Sequence, residues 1–246
     1  MTIVVEYGQI IFPLFSGAGK PEDTTLKKKA ITAAVLAAIF VLFIVLVKTV
    51  DVAAIGPDGT SVGFSAVNSA FRDAFGLNMF FYRLTQILGY LSIVIALVFA
   101  EEGIEQLIRR KSLKAVDGEI IVTGILYVLT AIVYLFFEIV KVNYRPVIMP
   151  GDTAPEASFP SSHTMLACVI LVGATVFVIR YLNNKKLAKI LAIAFSVTAA
   201  VTVVGRILAG VHWFTDIVGG LLISAALIVG YAAALDFVDS KKETKE

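Results

Sequence analysis

Cysteine is nearly missing from the chain. Cys168 is the single one in 246 residues, which excludes an internal disulfide, and its place inside an apolar run reads as a small core residue. Charge is scarce as well: 16% of residues are Asp, Glu, Lys or Arg, 58% are hydrophobic, and the mean hydropathy is +0.88. Those proportions fall outside the range of a soluble globular domain. A net charge of +2 gives no ground for a nucleic-acid partner, and none is expected. No period repeats along the sequence, and no low-complexity stretch occurs before the charged tail 239–246. The external loops hold no acidic cluster of magnesium-site character, so neither a metal nor another cofactor is expected. Histidine is reduced to His163 and His212.

Long hydrophobic runs, by contrast, are plentiful. A helix crosses the roughly 30 Å of bilayer hydrocarbon in about 20 apolar residues. Six stretches meet that need: Ala30 to Val47, Leu84 to Ala100, Ile120 to Ile139, His163 to Ile179, Ile190 to Leu208 and Phe214 to Leu235. The expected fold is all-α, a polytopic membrane protein with six transmembrane helices in one bundle. Residues 1–29 would be a cytoplasmic N-terminal segment, 30–238 the membrane domain and 239–246 a charged cytoplasmic tail. Lys20 and Lys27 to Lys29, Arg109 to Lys114, Arg180 to Lys189, and Lys241 to Lys245 bring most of the basic residues to one side of such a bundle. The positive-inside rule makes that side the cytoplasm, with both chain ends on it. Lys48, Arg72 and Arg83 are explained as interfacial anchors. Lys141, Arg145 and Arg206 are not.

Ile3 to Phe15 is apolar but short, holds Glu6 and Pro13, and has no basic stretch before it. An in-plane helix is expected there rather than a signal peptide or a span. Between the first two spans, roughly Thr49 to Arg83, Phe64, Val67, Phe71 and Phe75 share one helical face that Gly76 ends. An amphipathic helix on the outer interface is expected, serving as an anchor or as a guide for lipid.

Both histidines fall at the outer ends of spans in this arrangement. His163 follows Pro160, Ser161 and Ser162 at the entry to the fourth span, and His212 precedes the sixth. Asp216 lies four residues after His212, one helical turn, so its carboxylate can reach the imidazole, fix the tautomer and leave the other ring nitrogen free to attack. An ionisable group within a membrane helix is costly and usually functional. Arg145 and Arg206 offer planar forks of donors suited to phosphate oxygens. Ser161 and Ser162 add hydroxyls and amides at a helix start, where anions are favoured. Together these residues describe an anion site on one face of the membrane. Tyr144 and Trp213 flank it and are expected to sit at headgroup depth as interfacial aromatics.

Three blocks carry a family likeness: Glu138-x6-Arg145-Pro146, Pro160-Ser161-Ser162-His163 and Gly205-Arg206-x5-His212-x3-Asp216. They resemble the signatures of the type 2 phosphatidic acid phosphatase superfamily, K-x6-R-P, P-S-G-H and S-R-x5-H-x3-D. Thr85, Leu88 and Gly89 also fit its loose T-x-x-L-G pattern. The resemblance implies a membrane lipid phosphatase that works without metal. It makes His212 the nucleophile of a phosphohistidine, Asp216 its orienter and His163 the acid that protonates the leaving oxygen and then activates water. Arg145, Arg206, Ser161 and Ser162 would hold the phosphate.

The first block departs from the pattern, with Glu138 in place of lysine. Lys141, one turn on, can supply the charge, or it can pair with Glu138 without touching substrate. Ser162 replaces a glycine, and Gly205 replaces a serine, removing one possible hydrogen bond. Undecaprenyl pyrophosphate is the favoured substrate, with the site facing outward from the plasma membrane. Phosphatidylglycerol phosphate and phosphatidate are the alternatives. A reading of another class is a carrier or lipid-binding protein that holds an anion without cleaving it.

Overall fold

The computed structural model describes residues 23–243. The in-plane helix expected over Ile3 to Phe15 lies outside those residues. Among the described residues, six helices are long and apolar enough to cross a membrane, as the hydrophobic runs predict. In chain order they are α1 (Asp23–Thr49), α3 (Met79–Arg110), α4 (Gly118–Ile139), α5 (Ser162–Tyr181), α6 (Lys185–Ala209) and α7 (Phe214–Glu243). The short external α2 (Ser65–Phe75) lies between α1 and α3.

The helices run past the expected apolar cores because capping residues, not hydropathy, set their ends. Asn78 caps α3 by accepting the Phe80 and Phe81 N–H groups at 3.1 and 3.3 Å, so α3 starts before Leu84 and takes in Arg83. At its other end α3 continues to Arg110, and Lys111 stops it in the left-handed conformation. Lys27 to Lys29, expected ahead of the first span, ride on the first turns of α1, and the tail region is helical through Glu243.

The helices are not equivalent. In α5 and α7 most of the apolar stretch is buried, 61% and 56%, against 11–22% for the other four. These two therefore form the centre, and the others turn wide apolar faces such as Ile31, Val35, Ile87, Val94, Ile125 and Ile193 outward, as lipid contact requires. Within α5, Ala167–Val172 forms a π-helical stretch, which re-phases the helix between its first turn and its remainder. The core is rich in aromatic contacts: Phe159 stacks on Phe40 at 6.0 Å and meets Phe137 edge-on at 5.8 Å.

The two ends of the bundle carry different chemistry. At one end, Lys29 of α1 meets Asp236 of α7 at 2.6 Å, and Arg180 of α5 meets the same carboxylate at 2.8 Å. That pairing makes α1 and α7 antiparallel neighbours and brings the start of the first span beside the end of the last. The other end gathers the three sequence blocks.

Candidate active site

His212 sits in the short connection between α6 and α7, and its side chain is 2% exposed. Its Nδ1 lies 3.1 Å from the Ser158 carbonyl and 3.8 Å from Asp216 Oδ2. A carbonyl only accepts, so Nδ1 carries the proton and the lone pair is left on Nε2. Nε2 is buried and has no partner among the described residues, and the ring lines a small cleft. Burial above all holds the imidazole well below its ordinary pKa, with the charges of Arg206, Arg145 and His163 pushing the same way. The bond to Ser158 opposes them.

Asp216 orients His212 less directly than its spacing suggests. Its carboxylate accepts from Ser158 Oγ, from Asn143 Nδ2 at 3.0 Å and from the Trp213 N–H at 2.9 Å. It is a hub that fixes the stretch of loop whose Ser158 carbonyl accepts the hydrogen bond from His212 Nδ1–H. Ser158 and Asn143 carried no motif signal; each lies two residues before a motif proline or arginine, where an ordinary polar loop residue would raise no suspicion. Their loops are paired directly, with Ser158 N–H on Asn143 O at 3.0 Å and Arg145 N–H on Glu156 O at 2.9 Å. Trp213, expected at the interface, is 1% exposed, and its indole N–H donates to Tyr144 O at 2.7 Å. The ring ties the first block to the third, because a buried indole N–H needs an acceptor.

Arg206, at the end of α6, has no exposed surface. Its Nη1 donates to Thr85 Oγ1 of α3 at 3.3 Å, and its guanidinium lies 5.6 Å from the Tyr82 ring. Nε and Nη2 have no partner among the described residues, and neither has Arg145 Nε. Arg145 is 15% exposed and pairs with Glu156 at 3.1 Å. A Cβ at residue 205 would stand 2.6 Å from Thr85 Cγ2, so glycine at this position admits the threonine that supports Arg206. Gly89, one turn beyond Thr85, leaves room for the His163 ring, whose Cδ2 would lie 2.9 Å from a Cβ there. The weak pattern on the second span thus corresponds to a wall of the site.

Ser161 and Ser162 take different parts. Ser161 is buried and caps α5 through Thr164 N–H at 3.5 Å, while its own N–H donates to Asp216 O at 3.0 Å. Ser162 lines the cleft, with its hydroxyl 3.5 Å from His163 Nδ1. Of the first-block pair, Glu138 lines the cleft beside Arg145, Ser158 and His212. Lys141 is exposed outside it, with its ammonium 5.5 Å from the Tyr144 ring, and no Glu138–Lys141 ion pair forms among the described residues.

An imidazole nitrogen with a free lone pair, a second imidazole and two guanidinium groups with unpaired N–H donors therefore converge on one end of the bundle. A buried donor without a partner costs about 1–3 kcal/mol, and a charged donor costs more. A tetrahedral oxyanion offers the acceptors that the guanidinium donors lack.

A family profile described as the PAP2 superfamily matches residues 120–238, which hold most of α4 and α7, the whole of α5 and α6, and all three blocks. No curated protein matches the chain. Among solved structures, the crystal structure of the first transmembrane PAP2 type phosphatidylglycerolphosphate phosphatase from Bacillus subtilis aligns with a TM-score of 0.52 at 20% identity. The alignment covers 87% of this chain and 97% of that one, and the likeness is one of fold.

Proposed function

We propose that the chain, whose residues 120–238 match the PAP2 superfamily profile, is an integral membrane phosphatase acting on a lipid phosphate through a phosphohistidine. The observation that carries the proposal is the set of buried, unpartnered nitrogens: Arg206 Nε and Nη2, Arg145 Nε and His212 Nε2. In the proposed first step, His212 Nε2 attacks phosphorus, the N–P bond forms, the P–O ester bond breaks, and His163 gives its proton to the departing oxygen. In the second, His163 takes a proton from water as the water oxygen attacks phosphorus and the N–P bond breaks, releasing orthophosphate. Arg145 and Arg206 carry the charge that builds on the equatorial oxygens, a role that asks for no metal. The site would face outward from the plasma membrane, a reading supported by the basic residues at the opposite end.

Undecaprenyl pyrophosphate, favoured on sequence grounds, asks the site to balance two adjoining phosphates. Arg145 is already shared with Glu156, Glu138 stands on the cleft wall, and Lys141 lies outside it. That balance supports a lipid with one terminal phosphate, phosphatidylglycerol phosphate or phosphatidate. Purified protein in detergent, offered all three lipids with and without EDTA, is expected to release phosphate in both conditions and fastest from a lipid that ends in a single phosphomonoester. His212→Ala is expected to abolish release. A folded wild type that frees no phosphate from any of them would instead be an anion carrier.

A further inference from the structure

The external helix α2 is expected from its apolar face to anchor or to guide lipid, yet its buried side carries a polar grip. Asn68 has no exposed surface. Its Nδ2 donates to Gly63 O at 2.8 Å and to Thr215 Oγ1 at 3.0 Å, and its Oδ1 accepts the Thr215 N–H at 3.2 Å. One amide thus satisfies both the backbone and the hydroxyl of the residue next to Asp216. Around it, the Phe71 ring stacks on Phe214 at 4.1 Å. At the far end of the same connection, Asn78 N–H donates to Ala209 O at 3.1 Å. Gly210 there has φ +65°, and a Cβ on it would stand 1.6 Å from Gly76 O, so the two backbones touch. Residues 209–215, which carry His212, are therefore clamped at both ends by the external segment.

We propose that Asn68 is a positioning residue for phosphoryl transfer: through Thr215 it holds the first turn of α7, and with it His212 and Asp216, in line with the bound phosphate. The inference rests on the phosphatase reading above. A misplacement of about 1 Å at a reacting atom costs on the order of 10²-fold in rate. The guanidinium groups that bind phosphate are supported elsewhere, Arg145 by Glu156 and Arg206 by Thr85. Loss of Asn68 thus acts on the chemical step more than on binding.

The test is steady-state kinetics of the full chain in detergent, with inorganic phosphate as competitor. Asn68→Ala is expected to lower kcat about tenfold or more, with KM and the phosphate inhibition constant within about twofold of wild type. Thr215→Val, which removes the hydroxyl alone, is expected to lower kcat less, and Thr215→Ser to retain it. Ala70→Ser, at an exposed position on the same helix, is expected to match wild type. If Asn68→Ala does not fold, the two Thr215 variants decide the matter between them. A folded Asn68→Ala with wild-type kcat overturns the proposal, and so does a loss confined to KM, which would assign α2 to lipid delivery. Failure of the wild type itself to release phosphate counts against the phosphatase reading instead. The ring ¹⁵N signals of His212 then decide on positioning: Asn68→Ala is expected to shift them and Ala70→Ser to leave them, and the absence of that shift overturns it.

Discussion

His212 is kept neutral by its surroundings, and this has a thermodynamic signature. An unfolded histidine takes up a proton near pH 6.5, whereas the folded site, with its pKa well below that, does not. Below about pH 6.5 the unfolded chain binds more protons than the folded one, so stability rises with pH through this window and falls on acidification. One such group contributes at most about 1.4 kcal/mol per pH unit. His212→Gln is expected to flatten the dependence of Tm on pH between about 6.5 and 5 relative to wild type. Identical slopes in the two proteins would show that the ring titrates normally. At the residue scale the histidines and arginines of the site were legible in the sequence, because their chemistry is rare in so apolar a chain. Ser158 and Asn143 were not: what matters at Ser158 is a main-chain carbonyl, which every residue possesses.

The elements show why α3 belongs to the site although its sequence pattern is the loosest. Thr85 fills the space left by Gly205 and supplies the acceptor for Arg206 Nη1, and Gly89 makes room for His163. Thr85→Val keeps the volume and deletes the acceptor. It is expected to weaken inorganic phosphate binding about tenfold, ~1.4 kcal/mol, with Thr85→Ser near wild type. Equal phosphate inhibition constants for the two variants would remove Thr85 from the support of Arg206. The six spans themselves were legible as hydrophobic runs, since length and apolarity are what a bilayer selects. Their ends were less so, because a cap such as Asn78 or a left-handed stop such as Lys111 depends on backbone angles that hydropathy does not record. The π-helical stretch in α5 left no trace in composition at all.

Across the whole molecule, stability and chemistry are divided between opposite ends of the bundle. The carboxylate of Asp236, 4% exposed, is shared by Lys29 and Arg180 far from His212. Removing one member of a buried ionic group costs about 3–5 kcal/mol. Asp236→Asn is therefore expected to lower Tm substantially while leaving kcat per folded molecule unchanged. A fall in kcat with Tm intact would mean that the two ends communicate. The central place of α7 also bears on how the protein is made. Chains emerge in order from the N-terminus, yet α7, which follows all the other described helices, lies against α1, α4 and α5 in the middle. It also opens with Asp216 and carries the anchor for Asn68. The earlier spans must enter the bilayer with that place vacant. A nascent chain that stops short of α7 has Arg145 and Arg206 but neither its keystone nor the support of His212, so the anion-binding end is complete only once the central helix has slotted home.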